Sequence, residues 1–303
     1  MRKHWILPLL LLVSSCLINE TPKATSSSLL VEKGDVVALS YNTDSLVIFS
    51  PSGELKGVLY QLPNASDSIG AMAWLQETNE ILLTVNGSPD RIEAVSVLTG
   101  TSRTFFLNTS AYNGTPLGIT QLTDSGDIIA SEGTTIERFS SNGIRQSIPS
   151  VWPSSVLTNS VQITTLSDGN WLSCSSSAGI KIFPDSTTTF SALYSATRPV
   201  ASTNAYGCGE LSDGQIVVSW AGSTDHIYKY DATLGSASPI ISNNTSVFTD
   251  PRGIAIGEDD QIYVAATARN RIVQLDQDGN VVQEFGGAVL NSPRHVIVIP
   301  GII

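Results

Sequence analysis

The side chains best equipped for chemistry begin short apolar runs late in the chain. Tyr206 stands in "AYGC", Arg252 in "PRGI" and Arg294 with His295 in "PRHVIV". Gln162, in "SVQITT", occupies the position equivalent to His295 when these runs are laid over one another. Two guanidiniums, an imidazole and a phenol gathered at one place would suit a carboxylate or another small anion, because each Arg offers a planar fork of donors. The competing expectation is that they bridge neighbouring segments or pair with the protein's own acids. Glu210, in "GCGEL", is the weak candidate for a catalytic base. Buried among small residues and unpaired, its pKa would rise. A hydrogen bond to an adjacent segment, or exposure to water, is the favoured expectation for it.

Other chemistry finds little support. His occurs only at His4, His226 and His295, so no metal site or paired-His mechanism can be built on imidazoles. "DQDGN" (276–280) has its Gly misplaced for a calcium loop and no Glu at the required spacing, so it is expected to be hairpin chemistry. There is no G-x-S-x-G elbow. The expectation is therefore no metal and no cofactor.

The elements that must position these residues follow from a repeat. An acidic or Gly turn followed by an apolar run recurs, its first apolar residue being Ile81, Ile128, Trp171, Ile216 and Ile262. The steps between them are 47, 43, 45 and 46 residues, the length of about four short strands. A next strand recurs six times, as "LVIF", "IEAV", "IERF", "IKIF", "IYKY" and "IVQL". Inner strands precede them. Just after the Pro position stand Gly70, Leu117, Val161, Tyr206, Arg252 and Arg294, and then Ala71, Gly118, Gln162, Gly207, Gly253 and His295. A deeper column holds Trp74, Gln121, Thr165, Glu210, Ile256 and Val298. The expected fold is all-β, a six-bladed β-propeller.

The termini predict how it closes. Residues 34–57 align without a gap on 260–283, with Val36 on Ile262 and Phe49 on Leu275, so the first blade lacks its inner strand. "SPRHVIVIP" (292–300) supplies one and stops. Pairing of this C-terminal strand with the N-terminal blade would close the ring and protect edges that an open one would expose.

The unit "PRGIAIGEDDQIYVAATARNRIVQLDQDGNVVQEFG" (251–286) resembles an NHL repeat, and the other copies share mainly its hydrophobic positions. The resemblance implies a propeller scaffold, on which binding modules, sugar-lactone hydrolases and lyases are all found. Lactone-hydrolysing propellers hold a divalent metal on Glu, Asn and Asp facing the channel. Here the inner strands offer one Glu in register, which counts against that activity.

The N-terminus gives an address. Arg2 and Lys3 precede an apolar run, Trp5 to Val13, too short to span a bilayer as a mature helix. It ends in "VSSC" (13–16), which resembles a bacterial lipobox and implies cleavage before Cys16 with lipid on its thiol and amino group. The expected organisation is a lipoprotein signal peptide at 1–15, a flexible tether at 16–31 and the propeller at 32–303. Leu17 lacks the Asp that resembles an inner-membrane retention signal, which implies the outer membrane.

Of the 16 basic residues, losing Arg2 and Lys3 leaves 14 against 27 acidic ones, a net charge of −13. Such a surface repels nucleic-acid phosphates. In an oxidising compartment Cys174 and Cys208 either pair or stay as small buried thiols, the latter slightly favoured. The functional expectation is a monomeric, lipid-anchored binding or scaffold module of the cell envelope for a protein partner or a small anionic ligand, touching the membrane only through its anchor. The alternative is a metal-dependent enzyme of the lactonase or lyase type.

Overall fold

A computed structural model describes residues 31–107, 116–133, 135–146, 159–177, 179–185, 191–242, 244 and 246–302. The segment expected to be a signal peptide, Cys16 and almost all of the expected tether lie outside them. Six antiparallel sheets form the blades of a β-propeller, five of four strands and one of three among the described residues. The inner strands, from blade 1 to blade 6, are Pro293–Val298, Ser68–Leu75, Pro116–Gln121, Ser160–Thr165, Thr203–Glu210 and Pro251–Ile256.

The second strand of a blade is buried on both faces, as in Val36–Ser40, Trp171–Ser175 and Ile262–Ala266. This follows from stacking each sheet between two neighbours, and it explains the near-continuous apolar runs. Alternate residues then serve different neighbours. In blade 1, Val37 and Leu39 pack into a cluster shared with blade 2, whereas Val36 and Ala38 pack into one shared with blade 6. Four further clusters lie at the remaining blade interfaces. Among the described residues the hydrophobic core is thus six cushions arranged in a ring. The outer strands, such as Ser102–Leu107 and Val281–Phe285, are largely exposed.

The register matches the sequence repeat in every blade. The deeper column pairs with the first apolar residue of the second strand: Val298 with Val36, Trp74 with Ile81, Gln121 with Ile128, Thr165 with Trp171, Glu210 with Ile216 and Ile256 with Ile262. That second strand then pairs with the third, where Phe49, Val95, Phe139, Phe183, Tyr230 and Leu275 face the same six residues. The three-residue aromatic or aliphatic spacing read in the sequence is the pairing partner of the turn-and-strand signal.

The C-terminal strand closes the ring. Pro293–Val298 pairs antiparallel with Val36–Ser40. Beyond the ladder, Gly34 N donates to Ile299 O at 2.8 Å and Ile299 N to Asp35 O at 2.9 Å. At the other end Tyr41 N donates to Ser292 O, and Asn291 N donates to Ser40 Oγ at 2.9 Å. Ile299 and Val296 are fully buried.

A hydroxyl on the second strand ties blade to blade near the axis. Ser131 Oγ accepts from Gly118 N and donates to Ser160 O of the next blade, and Ser219 Oγ likewise accepts from Gly207 N and donates to Arg252 O. Thr267 Oγ1 donates to Pro293 O across the closing junction. The inner strands crowd here. A Cβ on Gly207 would sit 2.2 Å from Arg252 O, and one on Gly253 would sit 2.7 Å from Arg294 O. This is why small residues fill that column.

Candidate functional site

The inner strands begin at one end of the channel, and all six residues of the post-Pro column meet there. Gly70, Leu117, Val161, Tyr206, Arg252 and Arg294 line one cavity of ≈ 90 Å³. One residue from every blade therefore reaches the same space, in agreement with the repeat register. Tyr41, Ser68, Asn86 and His295 complete the lining.

The two guanidiniums are held face-on by aromatic rings. Arg252 Cζ lies 3.7 Å from the Tyr206 ring centroid and Arg294 Cζ 3.3 Å from that of Tyr41. Stacking of this kind fixes a guanidinium plane through its attraction to the π face and leaves the in-plane N–H groups to bond elsewhere. Arg252 uses its Nε on Asp250 Oδ1 at 2.8 Å. Arg294 Nε is buried and has no hydrogen-bond partner among the described residues. A buried charged donor left unpaired is costly and is satisfied by any acceptor that enters.

His295 and Gln162 lie below this mouth and cross the channel. His295 reaches from blade 1 to blade 4, where its Nε2 is 3.0 Å from Val161 O. A carbonyl oxygen can only accept, so Nε2 carries the proton of the neutral ring. Burial pushes the imidazole down to about 4, against the smaller opposing effect of the Val161 bond. The ring is therefore uncharged at neutral pH. Gln162 reaches from blade 4 to blade 6. Its Nε2 donates to Ile254 O at 2.7 Å and to Cys208 O at 2.9 Å, while its Oε1 accepts from Ile254 N at 3.1 Å. The sequence expectation grouped both side chains with the arginines as ligand contacts. His295 does line the mouth cavity, but its bonded nitrogen faces the protein, and Gln162 is absent from that lining.

Glu210 does not line the mouth cavity. Its carboxylate accepts from Ser167 N at 2.6 Å and from Ser167 Oγ at 3.0 Å, joining blade 5 to the turn of blade 4. Asp260 does the same with Ser212 N and Oγ at the next interface. Glu210 is half-buried and takes part in a recurrent blade-to-blade clamp, the arrangement the sequence favoured for it over a catalytic base. Cys174 and Cys208, on adjacent blades with Cα atoms 6.2 Å apart, are joined by a disulfide. The weighting towards two free thiols is corrected accordingly. Among the described residues no group of three or more His, Cys, Asp or Glu is arranged to hold a metal ion.

Sequence reasoning missed Tyr41, Ser68 and Asn86. Tyr41 belongs to the turn after the second strand of blade 1, and Asn86 ends the second strand of blade 2. Neither falls in an inner-strand column, so no signal there could have pointed to them.

Six blades about a two-ended channel, with a paired-guanidinium mouth at one end, define a six-bladed β-propeller. Among solved structures it is similar to a chain of the nidogen/laminin complex, with a TM-score of 0.71, 14% identity, and coverage of 88% of this chain and 98% of that one. It is similar to virginiamycin B lyase from Staphylococcus aureus, seen there with quinupristin, with a TM-score of 0.60, 15% identity, and 85% and 86% coverage. It is also similar to the PQQ-bound aldose sugar dehydrogenase from Streptomyces coelicolor, with a TM-score of 0.56, 15% identity, and 77% and 85% coverage. No family model and no curated protein matches the sequence. At such identities the likeness is one of fold, which is shared by binding proteins and enzymes alike.

Proposed function

We propose that this protein is a lipid-tethered binding module of the bacterial cell envelope, held at the outer membrane through Cys16, whose strand-start mouth captures a carboxylate or similar anionic group. The observation that carries the reading is the pair of ring-stacked guanidiniums on one small cavity, one with a buried Nε that has no acceptor among the described residues. The cavity has room for an anionic head group rather than for a whole metabolite, which suits an acidic group projecting from a partner or a short ligand. The two guanidiniums come from adjacent blades, 6 and 1, each stacked on a ring, so the scaffold preorganises them and little ordering is required on binding. The described residues offer no metal-ligand cluster, which favours capture over the metal-dependent alternative. The disulfide between Cys174 and Cys208 agrees with an exported chain.

Calorimetric titration with acetate, succinate, citrate and inorganic phosphate tests the mouth. Hydrogen bonds to charged groups contribute about 1.5–3 kcal/mol, so Arg294→Gln is expected to weaken the best anion by roughly tenfold or more. Arg252→Gln combined with it should abolish binding. Equal affinity in the double variant would refute the assignment. Radiolabelled palmitate should label the wild-type protein and not Cys16→Ser, which tests the anchor separately.

A further inference from the structure

The channel has a second end, and its chemistry is different. A cavity of ≈ 690 Å³ opens where the inner strands finish, lined by residues of the deeper column, Trp74, Gln121, Thr165, Ile256 and Val298. Its walls further in are aliphatic, with Ile119, Ile163, Ile254 and Val296 contributed by blades 3, 4, 6 and 1. His295 is the residue that this space shares with the anion mouth.

The polar groups around this cavity are mostly engaged by the protein. Gln121 Oε1 accepts from Gln76 N at 3.1 Å, and its Nε2 donates to Glu77 Oε2 at 2.7 Å and to Gly126 O at 3.2 Å. Thr165 Oγ1 donates to Gln121 O and contacts Thr120 Oγ1. Trp74 Nε1 is buried and has no hydrogen-bond partner among the described residues. Among the described residues no Lys or Arg lines the space, and the one lining carboxylate is Glu77.

We infer that this second cavity binds an uncharged, largely apolar small molecule bearing a carbonyl or ether oxygen that accepts the Trp74 Nε1 proton. Its volume lies within the roughly 300–1,000 Å³ usual for small-molecule sites, and the pattern of apolar walls with a few placed polar groups is theirs too. An anion would leave water for aliphatic walls with no lining Lys or Arg to meet it and would face Glu77, whose carboxylate already accepts from Gln121 Nε2. An oxygen acceptor would satisfy the indole N–H, which no described residue pairs. The site meets the anion mouth at His295 and shares neither guanidinium with it.

The test uses the uncharged ketone dye 6-propionyl-2-(dimethylamino)naphthalene, whose emission reports both polarity and a hydrogen bond to its carbonyl. The wild-type protein should bind one equivalent with blue-shifted emission. Trp74→Phe keeps an aromatic ring and removes the donor. It should weaken binding by about fivefold to tenfold, the scale of one hydrogen bond, and move the bound emission further to the blue. Ile256→Asp should abolish binding, whereas Arg252→Gln with Arg294→Gln should leave it unchanged. Melting curves identify a misfolded variant, and Val298→Asp replaces Ile256→Asp if that one fails to fold. Absence of saturable binding by the wild type overturns the inference. So does an unchanged affinity and emission in Trp74→Phe, or full retention in the folded Asp variant.

Discussion

Removing residues 292–303 should unfold the whole propeller rather than free one strand. The truncation takes away Pro293–Val298, which forms the ladder with Val36–Ser40, and the backbone bonds that Ile299 makes to Gly34 and Asp35. It also opens two of the six apolar cushions at once, because Val296 belongs to the blade 6–blade 1 cluster and Ile299 to the blade 1–blade 2 cluster. Val296 is 1% and Ile299 0% exposed. Their burial contributes roughly 1.5–3 kcal/mol each, and each ladder bond about 1 kcal/mol more. The total approaches the about 5–15 kcal/mol that holds a typical domain folded. A milder version, Ile299→Ala, should cost about 2–5 kcal/mol. Differential scanning calorimetry with circular dichroism is the assay. The truncated chain should show no cooperative transition, and Ile299→Ala should melt about 5–15 °C below wild type, at the 2–4 °C per kcal/mol of domains this large. A truncated protein that melts within a degree or two of the intact one refutes the closure.

Three further outcomes are expected. His295 is held neutral with a pKa of about 4 in the fold against 6.5 free, so the unfolded chain binds the extra proton between those values. Stability should therefore fall as pH drops from about 6.5 to 4, by on the order of 3 kcal/mol, and level off below; urea midpoints at pH 7.5 and 4.5 should differ less in His295→Gln, and equal differences would sink the point. Replacing Cys174 and Cys208 together by Ala removes a link spanning 34 residues. That should lower stability by about 3–4 kcal/mol in the chain-entropy account, read as a guanidinium midpoint that no longer responds to reductant. Gly207→Ala forces a Cβ to within 2.2 Å of Arg252 O; overpacking of this kind costs typically 1–3 kcal/mol, and because Arg252 is displaced, anion affinity should fall with the melting temperature.

Much of the fold was legible because the propeller repeats one physical problem six times. Ile81, Ile128, Trp171, Ile216 and Ile262 each start a strand buried on both faces, and that demand writes the same apolar spacing into every blade. The missing inner strand at the N-terminus was legible for the same reason. The chemistry was less so, because a column tells which residues reach the axis and not what each meets there. Gln162 and His295 stand in the column that is small elsewhere, and the anomaly was visible. That they bond across the channel to Ile254 and Val161, 92 and 134 positions away, was not, since such contacts depend on the diameter of the ring. Glu210 looked isolated in its apolar stretch, yet its partner Ser167 sits on the neighbouring blade. Tyr41 escaped because it approaches Arg294 from a turn.

Gln162 and His295 also bond across the middle of the wheel. Side chains bonded from rim to rim make it an axle rather than a pipe. A molecule seated at one opening has no need to travel to the other, so the disc has two faces that can be altered one at a time. Substitutions at Arg252 and Arg294 and substitutions around Trp74 and Ile256 would therefore fall on opposite openings, with His295 the residue common to both linings.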